Sequence, residues 1–175
     1  MKKVNQFFKD LYGYCDWSKD NAVDLEILEK VKQVEEYIPL EDEEFLFTSP
    51  CVRYRSLITA TLDWICVTNK RIVLVKNDFQ TKQYKQSNYF YPPITVIDTN
   101  SLTRFKKTRL YTLPPGTGIL IRGTFIIGNH PFDYDYAKQK QERILISKNQ
   151  QDFKFFQQAI KPFGLELDDP RLNID

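Results

Sequence analysis

Apolar residues near the start of the chain recur at helical spacing. After Asp20 and Asn21, either of which can cap a helix, they fall three or four positions apart as far as Pro39, which should end the helix. These residues are Leu25, Leu28, Val31, Val34 and Ile38. Residues 1–20 predict a short helix or an ordered arm that docks by its aromatic residues, which are Phe7, Phe8, Tyr12, Tyr14 and Trp17.

From Glu44 onwards the pattern changes to the alternation of strands. Apolar residues alternate with Thr59, Thr61 and Asp63 between Ile58 and Trp64. We therefore expect Leu62 and Trp64 in the core and Asp63 in solvent. The next residues, Thr68-Asn69-Lys70-Arg71, predict a turn, since Asn tolerates positive φ, and Ile72–Val75 would form the partner strand.

The remaining chain predicts further strands and one helix. Strands are expected over 45–54, with an interruption at Ser49-Pro50, and over 94–97, 102–113, 119–127 and 143–147. Residues 77–92 predict a long excursion with one strand, and 129–140 a loop. A helix over Asp152–Lys161 should place Phe153, Phe156 and Ile160 on one face. This order predicts a mainly β (α+β) fold with helices at both ends.

Two segments carry a family resemblance. Leu40–Phe47 and Trp64–Leu74, with the Thr-Asn-Lys-Arg turn, resemble bacterial pleckstrin-homology-like (PH-like) and GRAM-type domains over about residues 40–163. The resemblance implies an antiparallel barrel of about seven strands with a capping C-terminal helix. The chain would divide into an N-terminal helical extension (1–39), the barrel with its helix (40–165) and a short tail (166–175). Such domains bind membranes, peptides, partner proteins or themselves, and the fold alone does not define which.

Composition indicates the number of domains and shows an uneven distribution of charge along the chain. With 175 residues, 42% of them hydrophobic, the chain can bury the core of one domain. The formal net charge of +2 is too small for a general nucleic-acid binder. Residues 20–44 nevertheless hold ten acidic side chains and two basic ones, whereas 70–109 hold nine basic and two acidic ones. One acidic and one basic face are therefore expected, and the basic face would attract an anionic partner.

Residues that would support catalysis or metal binding are sparse. The three cysteines, Cys15, Cys51 and Cys66, form no CxxC pair. Their number and spacing indicate neither a zinc site nor a disulfide framework and favour a reduced intracellular setting. His130 is the only histidine, and Gly116-Thr117-Gly118 lacks the ending of a phosphate-binding loop. No secretory signal or run of 18 apolar residues occurs. The sequence predicts a non-enzyme without cofactor or metal, in the cytoplasm or peripheral at the inner membrane face.

The basic residues are the best candidates for a binding site. We expect six of them to converge into one site for an anionic partner: Arg53, Arg55, Lys70, Arg71, Arg104 and Lys106. The partner would be a protein or a lipid surface, and self-association is a further possibility. An alternative is that strand-edge cations only discourage aggregation. A further alternative is a single-stranded nucleic-acid or RNA-binding module, which would stack bases on Tyr84, Tyr89 and Tyr91.

Overall fold

The protein is mainly β. The computed structural model describes residues 2–15, 21–54, 56–58, 60–77, 93–127, 137–147 and 153–167. Within these ranges the helices are α1 (Lys2–Tyr14), α2 (Leu25–Lys32) and α3 (Lys154–Ile160). The strands are β1 (Phe45–Tyr54), β2 (Ala60–Thr68), β3 (Ile72–Lys76), β4 (Ile94–Ile97), β5 (Arg104–Leu110), β6 (Gly116–Ile127) and β7 (Ala137–Ser147). The strand predicted within 77–92 falls mostly outside the described residues, and β7 begins earlier than predicted.

The sheet is antiparallel and curls until it closes. Its order is β4-β3-β2-β1-β7-β6-β5, with a further pairing of β4 with β6. The length of β6 makes this possible, because its first half pairs with Arg104–Leu110 of β5 and its last residues pair with Thr95–Ile97 of β4. Six strands thus form a ring, with β5 beside β6. The prediction of a barrel-like α+β fold is confirmed.

The inner face of the sheet holds the largest core cluster. Phe47 of β1, Phe105 of β5 and Ile121 of β6 meet there with residues of α3. The Phe156 ring lies edge-on to Phe47, with centroids 5.4 Å apart, and stacks near Phe105 at 6.1 Å. The helix predicted over Asp152–Lys161 is therefore confirmed as a packing element, although its α-helical part is only Lys154–Ile160.

Helix α2 covers the outer face of β2, β3 and β4, and the predicted helix face is correct at Val31 and Val34 but not at Leu25 and Ile38. Ile27 and Val31 pack against the sheet, whereas Leu25 is 72% and Ile38 is 54% exposed. The helix starts after Asp24 and ends at Lys32, well before Pro39. Because the helix is shorter than predicted, Ile38 lies outside it and does not share its sheet-facing side.

The start of α2 is fixed by a side-chain cap. Oδ1 of Asp24 accepts the backbone N–H groups of Glu26 at 3.0 Å and Ile27 at 3.3 Å. We expect Asp24→Ala to lower the free energy of unfolding by about 1 kcal/mol, since those donors lose their acceptor. Urea unfolding followed by circular dichroism would measure the loss. Asp24→Ser keeps a capping oxygen and should recover most of the stability, and equal losses for both variants would contradict the capping role.

Helix α1 covers a second part of the outer face. Leu11 and Cys15 pack against Val52, Leu62 and Leu110, as expected for an arm that docks. The Tyr14 hydroxyl donates to the backbone carbonyl of Asp63 at 2.6 Å, and burial raises the pKa of Tyr14 well above its usual value.

Trp17 lies outside the described residues. No helix in the described ranges is long and apolar enough to cross a bilayer.

The alternation in β2 was interpreted correctly for two residues and wrongly for the third. Leu62 and Trp64 are buried, as predicted, but Asp63 is fully buried as well. The reason is that both faces of β2 are covered, the inner one by the barrel core and the outer one by α1 and α2. Alternation identifies which residues share a face, whereas burial depends on what packs against that face.

Candidate interaction surface

Arg53 does not belong to a surface. Its side chain is completely buried on the inner face, and its Nε lies 2.8 Å from Oδ2 of the equally buried Asp63. Its Nη1 also donates to Oγ1 of Thr95 at 3.2 Å. The cause is register, because Arg53 shares the inner face with Cys51, a member of the core cluster. Including Arg53 among the contact residues was therefore wrong.

Arg71 is also buried, and its partners are internal. Its Nε lies 3.1 Å from Oε2 of Glu43, with 4% and 1% of the two side chains exposed. Its Nη2 donates to the carbonyl of Ile38 at 2.9 Å, and its guanidinium lies 5.2 Å from the Tyr37 ring centre. The Tyr37 hydroxyl donates to the same Glu43 carboxylate. Arg71 thus fastens the segment after α2 to the sheet, and its assignment to the contact surface is corrected.

The rest of the Thr-Asn-Lys-Arg turn is structural too. Oγ1 of Thr68 accepts the N–H groups of Lys70 at 3.1 Å and Arg71 at 3.0 Å. Oδ1 of Asn69 accepts the Glu44 N–H at 2.9 Å, and its Nδ2 donates to the carbonyl of Asp42 at 2.9 Å. Asn69 and Lys70 are exposed on the turn, whereas Thr68 and Arg71 are buried. The motif is therefore explained by the hydrogen bonds that form the turn, and it does not indicate a ligand.

The sequence-predicted set does not converge. Arg104 and Lys106 lie on the outer face of β5, on the same side of the strand as Leu110, which packs against α1. Arg53 is on the inner face, and Lys70 is on the β2–β3 turn. The remaining members and alternatives, Arg55, Tyr84, Tyr89 and Tyr91, lie outside the described residues.

The structure adds a third cation to Arg104 and Lys106. Arg104 is the direct register partner of Arg122 in β6, and Lys106 is the partner of Leu120. Arg104 and Lys106 are half-buried, and Arg122 is exposed. In the described part of the chain, Leu110 at one end of this outer surface belongs to the same core cluster as residues of α1, and Ile126 at the other end belongs to the cluster of α2. We call Arg104, Lys106 and Arg122 the basic face.

Arg122 was missed by the sequence reasoning, although part of its signal was present. Ile119 and Ile121 face the core, so alternation alone places Leu120 and Arg122 on the outer side of β6. What the sequence does not contain is the register that brings Arg122 opposite Arg104. That register depends on the turn between β5 and β6 and on the packing of both strands.

A polar cluster accompanies the Arg53–Asp63 pair on the inner face. It consists of Ser49, Thr61, Thr95 and Glu142, all of them buried. Oγ of Ser49 and Oγ1 of Thr61 have no hydrogen-bond partner among the described residues. Because solvent does not reach these atoms, the cluster offers no contact surface to a partner.

The described residues show no assembled catalytic or metal centre. Cys15, Cys51 and Cys66 are buried free thiols, and burial raises the pKa of Cys51 and Cys66 above the ordinary thiol value. A thiol whose pKa is raised by burial is a poor nucleophile. No group of three or more His, Cys, Asp or Glu side chains in the described ranges is arranged to hold a metal ion. His130 lies outside those ranges.

Comparison with protein-family models, curated protein sequences and solved structures finds no match to this chain.

Proposed function

We propose that the protein is a non-catalytic interaction module, a PH-like barrel, that binds an anionic partner through the basic face. The partner is a protein with an acidic surface or an anionic membrane. The observation that carries the proposal is the direct opposition of Arg104 and Arg122 on neighbouring strands. Like charges in direct cross-strand pairs repel each other, whereas a bound anion would be attracted to both of them.

The segment that carries the basic face supports an anionic partner. Residues 99–132 contain five Lys and Arg side chains and no Asp or Glu. Clustered charge of one sign increases the rate of encounter with an oppositely charged surface. The PH-like assignment rests on the strand order, the Thr-Asn-Lys-Arg turn and the helix α3 against the barrel core.

Protection of a sheet edge is the competing explanation. It suits Arg104 and Lys106, because β5 is the last strand in the sheet order, and charged side chains on an edge strand discourage aggregation. It does not suit Arg122, because β6 is paired on both sides, with β5 and with β7. A binding role covers all three cations.

The test is the double variant Arg104→Glu/Lys106→Glu. We expect it to bind anionic probes about tenfold or more weakly than the wild type at low salt, because the attraction is replaced by repulsion. The probes are phosphatidylcholine–phosphatidylserine vesicles, poly-L-glutamate and single-stranded oligothymidylate. Binding of the wild type should fall as salt rises, and the melting temperature of the variant should change little.

A matched control separates the surface from the charge. Lys3→Glu/Lys9→Glu changes the net charge equally on two exposed positions of α1. It should retain wild-type binding within about twofold, since single exposed charges contribute little. If the Arg104→Glu/Lys106→Glu variant binds every probe as tightly as the wild type, or if the wild type binds none, the proposal fails. Preference for the oligonucleotide over the other probes would favour the nucleic-acid alternative.

A further inference from the structure

Exposed apolar side chains concentrate at one place in the described part of the chain. The described ranges contain seven exposed large hydrophobic residues, and four of these belong to two neighbouring loops. Leu57 (53% exposed) and Ile58 (74%) lie between β1 and β2, and Tyr111 (78%) and Leu113 (54%) lie between β5 and β6. We call these four residues the apolar tip. Single exposed apolar residues are ordinary, but adjacent ones indicate an interaction site.

The two loops are joined to each other and braced from beneath. The N–H of Leu113 donates to the carbonyl of Leu57 at 2.9 Å. The hydroxyl of Tyr54, whose side chain is buried, donates to the carbonyl of Leu113 at 3.1 Å. Tyr12 of α1 donates to the carbonyl of Pro115 at 2.5 Å. The backbone is therefore fixed by hydrogen bonds, and the apolar side chains are left pointing away from the core.

A positive charge lies beside the apolar tip. The exposed Arg109 lies with its guanidinium carbon 5.9 Å from the ring centre of Tyr111. Neither segment that leads into the tip contains an acidic residue, since residues 45–62 and 99–132 have no Asp or Glu. An occupant that accepts apolar side chains and carries negative charge would fit both the tip and Arg109.

We propose that the apolar tip inserts into the surface of an anionic lipid bilayer, with Arg109 at the level of the headgroups. Tyr sits favourably at the membrane–water interface, and cations next to inserted apolar side chains bind anionic lipids. A second copy of the chain is a poorer occupant, because a symmetric contact would bring the two copies of Arg109 together. The tip is a different surface from the basic face, so this inference does not depend on the proposed function.

The experiment uses substitutions that leave the charge unchanged. Ile58→Ser/Tyr111→Ser removes the two most exposed members of the tip, and Leu25→Ser/Ile38→Ser removes two exposed apolar residues elsewhere. Full-length proteins are sedimented with phosphatidylcholine–phosphatidylserine vesicles and with phosphatidylcholine vesicles. We expect the wild type and the Leu25→Ser/Ile38→Ser control to bind the anionic vesicles, and the tip variant to bind them about tenfold or more weakly, since two apolar anchors are lost.

A second variant tests the depth of insertion. Tyr111→Trp should retain binding, and its added fluorescence should be quenched by nitroxide groups carried on the lipids, because Trp also favours the interface. The inference is overturned if the wild type binds no anionic vesicles, if the tip variant binds like the wild type, or if the control loses as much. It is also overturned if the tip variant changes only the oligomeric state in analytical ultracentrifugation. Loss of binding in the Arg104→Glu/Lys106→Glu variant alone would support the basic face and not the tip.

Discussion

Asp63→Ala is expected to lower the free energy of unfolding by about 3–5 kcal/mol, because it leaves a buried guanidinium without its carboxylate. Arg53 and Asp63 are both completely buried, with Nε and Oδ2 at 2.8 Å. Solvent cannot replace the lost carboxylate at such a buried position, so the guanidinium loses a charged partner without regaining hydration. Since single domains are stable by about 5–15 kcal/mol, the loss would be a large part of the total. Urea unfolding followed by circular dichroism measures it.

The control for this prediction removes both charges. Arg53→Met/Asp63→Leu replaces the pair with apolar side chains of similar length, and buried pairs often tolerate such replacement without loss. We therefore expect the double variant to be much closer to the wild type than Asp63→Ala. If Asp63→Ala costs less than about 1 kcal/mol, the pair is not desolvated in the way that its burial indicates.

Phe156→Ala is expected to cost about 3–5 kcal/mol, because truncating a buried aromatic ring removes apolar burial and leaves a cavity. Phe156 is 1% exposed and lies between the rings of Phe47 and Phe105. It thereby holds α3 against the inner face of the barrel. The same unfolding measurement applies, and loss of α3 from the barrel would also increase hydrogen exchange along Lys154–Ile160.

Two substitutions in the same helix bracket the effect. Phe156→Leu keeps most of the apolar volume and should lose clearly less stability than Phe156→Ala. Gln157→Ala changes an exposed neighbour and should stay within about 0.5 kcal/mol of the wild type. A Phe156→Ala protein as stable as Gln157→Ala would show that α3 does not complete the core.

The distribution of arginines explains why the candidate site could be predicted only in part. Arg53, Arg71 and Arg104 all lie in or beside predicted strands and look alike in sequence. In the structure two are buried beside carboxylates, and Arg104 lies on the outer face opposite Arg122. The carboxylate partners of the two buried arginines, Asp63 for Arg53 and Glu43 for Arg71, come from other segments of the chain. A cation can be assigned to a surface only when its partners are known.

The apolar tip shows the same limit from the other side. Leu57 and Leu113 are far apart in sequence, and neither residue by itself is unusual in a loop. They form one site because β1–β2 and β5–β6 end at the same end of the barrel, where the Leu113 N–H reaches the Leu57 carbonyl. No local pattern records that meeting.

The sequence by itself determined the local elements: the strand series, the turn at Thr68–Arg71 and the amphipathic helix that carries Phe153, Phe156 and Ile160. These follow from periodicity and turn chemistry, which act between residues close in the chain. The tertiary structure decided the ring closure through β4 and β6, the burial of Asp63 and Arg53, and the pairing of Arg104 with Arg122. These depend on register and on what covers each face, and both are set by contacts between segments distant in sequence.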